Sequence, residues 1–414
     1  MLNKEQKSSI IFLLASKAFE RLAFYTIMAI LVKYLMDSLD LETNKAAIFY
    51  SVFYGALGLT TIFSGLLGDL RDRMKIVKIG FILLTVMYLV IAFLPGISVI
   101  VVFALILLGV GVGLTSPNII VFLGNIYNEK GKEIAGLSGF ILFSIAVNIG
   151  ALIAPLISIT LKDNLGYYSV FLFAFISGLT SLILFLKFKE NYNKLDLVAE
   201  QKDYIAPKSE KRLNSLIVIS VLLIGILIRL ALSQRGISFN FAIGDLIGDG
   251  FNINEKTKNI EVFISIVLFV LFALVVTRVR NLNWGKVFNI ILIGLTFSII
   301  GFLLVGSYEF LSKIMSGKSI FLQSFIFVII AETLVTPTIS YLIYRSSPIK
   351  RKGLYQGIAY IAFAISNQLL FIGLLLYDKI GTTTFIIFSV ILLITAVLTI
   401  LLKRIVNHKL TEIE

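Results

Sequence analysis

Long apolar runs alternate with short polar ones along the whole chain. The apolar runs cover approximately residues 9–36, 46–68, 76–94, 98–123, 135–161, 167–187, 214–235, 259–277, 286–306, 319–344, 355–377 and 382–402. A helix needs about 20 such residues to cross a bilayer, so the pattern predicts an all-α polytopic membrane protein with twelve transmembrane helices. The longest polar interruption, 187–212, is charge-rich, contains Pro207 and follows the sixth run. It predicts an N-terminal six-helix bundle over 1–187, a cytoplasmic linker over 188–213 and a C-terminal six-helix bundle over 214–414. Residues 236–258 are too polar to span and are expected outside the membrane. The first run is too long for the core of a signal peptide and reads as a retained first helix.

Composition sharpens this picture. Of 414 residues, 58% are hydrophobic and 15% charged, whereas soluble domains run at about 45–50% and 25%. The net charge of +13 needs no nucleic-acid partner, because it falls in alternate loops: Arg71, Arg73, Lys75 and Lys78; Lys130 and Lys132; Arg278, Arg280 and Lys286; Arg345, Lys350, Arg351 and Lys352; Lys403 and Arg404. The positive-inside bias places these loops and both termini in the cytoplasm of a cell (inner) membrane protein. With no cysteine and only His408, thiolate sites, disulfides and intramembrane histidine clusters are excluded. No acidic metal cluster is visible either, so neither an enzyme nor a metal or other cofactor is expected.

Lys17, Glu20 and Arg21 lie inside the first apolar run. A charge near the bilayer centre costs about 2.5–3.5 kcal/mol on insertion scales. Their i, i+3, i+4 spacing puts all three on one helix face, a face that must meet protein or water. Lys17 has a second reading, because it lies near enough the helix start to snorkel to the headgroups. Arg229 in the seventh run cannot discharge itself and needs a carboxylate or a substrate anion. Glu332 sits mid-run in the tenth segment. Each of these has a bland reading as well: an ion pair stapling helices, or a hydrogen-bonded core carboxyl. Asn148 reads equally as helix-packing glue.

Between the second and third runs stands Gly65-x-x-x-Asp69-x-x-x-Arg73. It resembles the major facilitator loop signature, and the resemblance implies a conformational latch built from Gly65, Asp69 and Arg73. Two six-helix halves also describe the major facilitator fold.

Four further stretches resemble the proton-dependent oligopeptide transporters. Lys17-Ala18-Phe19-Glu20-Arg21-Leu22-Ala23-Phe24-Tyr25 is similar to that family's Glu-x-x-Glu-Arg-Phe-x-Tyr-Tyr signature, with Lys17 replacing the first glutamate. Ser116-Pro117-Asn118, then Gly124 and Tyr127, is similar to the Lys-Pro-Asn segment, with Ser116 in the lysine's place. Gly139-Phe140 and Asn148-Ile149-Gly150-Ala151 match the fifth helix, and Ala331-Glu332, Pro337 and Ser347-Pro348 resemble the tenth. In the seventh, Gln234, Gly236 and Ser238 fit, but Ser233 replaces a glutamate and Arg229 a tryptophan; Met28 stands where that glutamate's arginine partner is found. Losing both partners together avoids an unpaired buried charge worth about 3–5 kcal/mol.

The resemblance implies a transporter that works by alternating access, and a monomer whose partners are the lipid bilayer and a small peptide-like substrate. The implied substrate-binding residues are Arg21, Tyr25, Asn148, Glu332, Lys17 and Arg229. Arg21 and Lys17 would hold the substrate carboxylate, Glu332 its ammonium and Asn148 its amide, in a wet chamber shared by two rocking lobes. The coupling ion would be a proton, carried by a carboxylate that holds it when unoccupied and releases it to an approaching cation; Glu20 and Glu332 are the candidates. The alternative is a facilitator of another small substrate such as an organic anion. Lys17, Arg21 and Arg229 against Glu20 and Glu332 leave one cation over, which hints at that reading.

Overall fold

The computed structural model describes residues 3–94, 96, 98–127, 133–195, 208–235, 238–248, 255–279 and 282–411. Lys130, Lys132, Arg280 and the middle of the expected linker (196–207) lie outside these. Every regular element among the described residues is helical. Apart from the short helical turns Asn193–Leu195, Tyr308–Leu311 and Ile349–Arg351, they are in chain order α1 (Lys4–Met28), α2 (Leu31–Asp37), α3 (Thr43–Leu70), α4 (Arg73–Phe93), α5 (Ser98–Tyr127), α6 (Glu133–Tyr192) and α7 (Lys208–Ser233). There follow α8 (Ser238–Ile247), α9 (Glu255–Arg278), α10 (Trp284–Gly306), α11 (Gly317–Ser346), α12 (Lys352–Gln368), α13 (Leu370–Ile380) and α14 (Thr383–Thr411).

Helix starts are set locally. Asn3 and Gln6 form a capping box on α1, Asp72 accepts from the Met74 and Lys75 amides at the start of α4, and Asn283 and Ser316 cap α10 and α11. Each supplies an oxygen to an amide that has no partner within its helix. Ten helices among the described residues are long and apolar enough to cross a membrane. The sixth helix counts once among them but carries two of the expected spans, and it breaks at Gly166, with φ 77, where the hydropathy falls. The first helix is not among the ten: Lys17, Glu20 and Arg21 fall in every window long enough to span. Large apolar side chains such as Phe63, Val99, Phe103, Leu223 and Leu393 stand exposed, as surfaces that lipid covers do.

Part of the stretch read as an external polar loop, 236–258, is folded. Its first half forms α8, which buries Phe239, Ala242 and Ile243. Phe239 meets Phe302 and Phe385 edge-on at 5.2 and 4.9 Å. Ten residues of helix reach only about 15 Å, too short to span, so α8 is an amphipathic helix laid on its unit.

The chain divides into two compact units, one of Met1–Ile205 with Ile349–Ile361, the other of Ala206–Pro348 with Ala362–Glu414. The first packs around Phe24, Tyr34, Phe53, Leu84, Tyr88 and Phe171, with Tyr34 edge-on to Phe171 at 4.8 Å.

Candidate functional site

The first unit gathers the three mid-helix charges of α1 into one buried trio. The helix lies along α6, tied by Ser16 Oγ to the Ser181 carbonyl (2.9 Å) and by Ser158 Oγ to the Thr26 carbonyl (2.6 Å). At Gly150 a Cβ would stand 2.8 Å from Arg21 Cβ and from the Leu22 amide nitrogen, so only hydrogen fits there, and α1 is drawn in at Arg21. Glu20 then serves both cations. Lys17 Nζ lies 2.7 Å from Glu20 Oε2, and Arg21 grips the carboxylate with Nε (2.8 Å) and Nη2 (2.9 Å). Ser116 Oγ, from α5, receives Arg21 Nη2 at 3.3 Å and Lys17 Nζ at 3.5 Å.

Lys17 and Glu20 are each 1% exposed, and Arg21 is 12% exposed. Lys17 therefore does not snorkel. Its ammonium reaches the hydroxyl at the α5 position where the resembling family carries a lysine. Two cations against one carboxylate leave the trio one positive charge. Arg21 also lies over the Phe24 ring, 4.8 Å from its centroid. Tyr25 is half-buried, edge-on to Phe24 at 5.1 Å. Asn148 donates from its side-chain amide to the Ser144 carbonyl of its own helix at 2.8 Å.

The second unit assembles a larger cluster from three helices and a turn. Arg229 on α7 donates from Nη1 to Glu332 Oε1 (3.0 Å) and from Nη2 to Thr336 Oγ1 (3.2 Å), both on α11. Arg235, on the turn after α7, donates from Nη2 to Glu332 Oε2 at 3.0 Å. The same nitrogen is paired with Glu261 of α9. Glu332 is 32% exposed, far more open than Glu20. Arg229 thus has the carboxylate it needed, and Glu332 already holds two guanidinium groups.

Sequence reasoning passed over Arg235 and Glu261. Each stands at the edge of an apolar run, where a charge reads as a solvated helix end. The available signal was the lone carboxylate of Glu332, too little for two arginines in one segment. With Glu261 counted, the second cluster holds two cations and two carboxylates. The spare positive charge belongs to the first unit.

The loop signature forms a third site, inside the first unit. Asp69 Oδ1 accepts from Arg73 Nη2 (2.5 Å) and from the Gly353 amide (2.9 Å), and Oδ2 accepts from the Leu354 amide (2.8 Å). The carboxylate thus sits on the amides that open α12, where a helix end favours negative charge. Gly65 makes the approach possible, since a Cβ there would strike the Gly353 carbonyl. Arg73 Nη1 crosses to Asn118 Oδ1 of α5 at 2.6 Å, and Asn118 in turn donates to Ser64 Oγ at 2.9 Å. Asp72, the other acid in the loop, is occupied as a helix cap. In α5, Ser116 touches the trio and Asn118 touches Arg73, two residues apart.

Residues 13–234 match the sequence profile of the Major Facilitator Superfamily. A di-/tripeptide transporter of Lactococcus lactis subsp. lactis (strain IL1403) is 30% identical over 256 residues, 58% of this chain and 50% of that protein. The chain thus spans about half the length of the curated relatives it matches. In fold, the human organic anion transporter MFSD10 is similar with a TM-score of 0.72 at 14% identity, over 96% of this chain and 100% of that one. A POT family transporter in complex with a thioalcohol-conjugated peptide is similar with a TM-score of 0.64 at 18% identity, over 95% and 94%.

Proposed function

The chain belongs to the Major Facilitator Superfamily, and on that premise we propose that it is a secondary active transporter of di- and tripeptides, working by alternating access and driven by protons. The carrying observation is the buried trio of Lys17, Glu20 and Arg21, with its one positive charge in excess. A permanent, partly exposed guanidinium, carrying charge that Glu20 does not fully offset, is a receptor for a carboxylate, the group every peptide carries at one end. Likeness to a di-/tripeptide transporter of Lactococcus lactis supports the same substrate class, as do the motif residues Glu20, Arg21, Tyr25 and Asn148.

Within the first unit the substrate carboxylate falls to Arg21, with Lys17 and Ser116 fixing its position and Tyr25 beside it. Within the second, Glu332 is the carboxylate suited to a substrate ammonium and to a transported proton. Glu20 is ill suited to carry that proton. Neutralising it would leave Lys17 and Arg21 buried without a counter-charge, a cost of about 3–5 kcal/mol. Glu332 is open enough to exchange protons with water. Uptake of a dipeptide into proteoliposomes under an inward pH gradient tests this: wild type should concentrate the peptide, and Glu332→Gln should abolish the response to the gradient. Gradient-driven uptake unchanged in the variant would refute Glu332 as the coupling group.

A second reading draws support from the charge ledger. The cluster around Glu332 is balanced, so a substrate with one net negative charge would neutralise the whole set through the first unit alone. A thermal-shift panel of dipeptides and monocarboxylates separates the two: stabilisation by monocarboxylates and not by dipeptides favours an organic-anion carrier.

A further inference from the structure

One nitrogen of the second cluster serves two carboxylates while its neighbour is idle. Arg235 Nη2 is paired with both Glu332 Oε2 and Glu261 Oε1. Arg235 Nη1 is buried and has no hydrogen-bond partner among the described residues. A guanidinium is best satisfied by a two-nitrogen fork on one carboxylate. Arg235 instead divides a single nitrogen between two acids and leaves the second unused, an arrangement with an obvious alternative close at hand.

Its place in the chain permits that alternative. Arg235 is outside the body of α7, on a turn held by the Arg235 amide to the Leu232 carbonyl and the Phe239 amide to the Gln234 carbonyl. Gln234 steadies that turn by donating to the Leu230 carbonyl (3.1 Å) and accepting from Ser238 Oγ (3.0 Å). The Phe325 ring lies 5.3 Å from the guanidinium carbon, a face over which the flat cation slides without losing its contact. Glu332, by contrast, keeps Arg229 as a second partner if Arg235 leaves.

We propose that Arg235 is a shuttle cation and Glu261 its parking carboxylate: a cationic group on the substrate displaces Arg235 from Glu332, and Arg235 closes onto Glu261. The proposal deepens the peptide-transport reading and rests on it for the identity of the displacing group. In this scheme Glu261 acts on substrate binding through Arg235, as a positioning residue. An ammonium gains access to Glu332 without stranding a buried guanidinium, and a substrate lacking a cation leaves Arg235 where it is.

Two measurements on the purified full chain decide this. The first needs no substrate: thermal unfolding of Glu261→Gln, Glu332→Gln and the double variant, each also in an Arg235→Gln background. With Arg235 present, each single loss lets the guanidinium close on the remaining acid. The double variant should therefore melt about 5 °C or more below the sum of the single effects, and this excess should vanish with Arg235→Gln. Additive effects, or an excess that survives Arg235→Gln, would overturn the shuttle.

The second compares binding of Ala-Ala with N-acetyl-Ala-Ala. Glu261→Gln should weaken the free dipeptide about tenfold, a 1.4 kcal/mol change, and change the acetylated one less than twofold. Equal losses for both, or no loss for either, would overturn the parking role. Wild type binding neither ligand would sink the peptide reading, and the unfolding cycle would then judge Arg235 alone.

Discussion

The two charged clusters use the same residue types to opposite ends. In the first unit Lys17, Glu20 and Arg21 come from two turns of one helix, so their pairing is built into α1; Lys17 and Glu20 are buried, and Arg21, drawn in at Gly150, keeps an exposed edge. In the second, Arg229, Arg235, Glu261 and Glu332 come from three helices and a turn, share bonds unequally and stay partly open. The first cluster is a fixed anchor carrying one excess charge; the second is neutral and exchangeable. The contrast shows that local spacing gives a fixed ion trio, whereas a cluster gathered from distant elements keeps alternative pairings within reach.

The hardest test of this contrast is Glu20→Gln. It strands two buried cations and should cost about 3–5 kcal/mol, read as a large fall in melting temperature in detergent. Glu332→Gln should cost clearly less, since Arg235 retains Glu261 and Arg229 retains Thr336. Equal losses would erase the distinction between anchor and exchanger.

Next in size is Asp69→Asn, which weakens bonds to Arg73, Gly353 and Leu354. A charge-assisted bond contributes about 1.5–3 kcal/mol; the amide keeps one acceptor oxygen, so a net loss of about one such bond should appear as a lower melting temperature. If the first unit acts as one frame through Ser116 and Asn118, substrate-carboxylate binding should weaken in the same variant; unchanged binding would separate latch from anchor.

Arg21→Lys keeps the charge and removes the fork. Binding of a substrate carboxylate should fall about tenfold, or 1.4 kcal/mol, and a binding titration of the same carboxylate should show a smaller loss for Arg229→Lys. The smallest effect expected is from Ser116→Ala. The hydroxyl meets Arg21 and Lys17 at 3.3 and 3.5 Å, so its removal should cost about 0.5–1.5 kcal/mol. A loss as large as that of Glu20→Gln would mean that Ser116, and not the carboxylate, organises the trio.

Much of the fold was legible because bilayer physics writes itself into hydropathy. The break at Gly166 and the caps at Asp72 and Asn283 fall where the apolar runs end. The amphipathic α8 was not legible as structure, because ten residues with a polar face look like loop until Phe302 and Phe385 offer a surface to cover. At the candidate sites, the i, i+3, i+4 spacing disclosed the trio outright. It left Lys17 undecided between headgroups and core, a choice settled by the proximity of Ser116 on α5.

By itself, then, the sequence determined which segments are apolar enough to span and that three charges of α1 share a face, because hydropathy and helical periodicity are properties of neighbouring residues. Only the tertiary structure decided that Arg235 divides itself between Glu332 and Glu261, or that Asp69 caps amides at Gly353 and Leu354, 284 and 285 residues away. Those partners are chosen by how separate helices pack, and a short-range bond between long-range neighbours leaves no mark on the spacing of either residue along the chain.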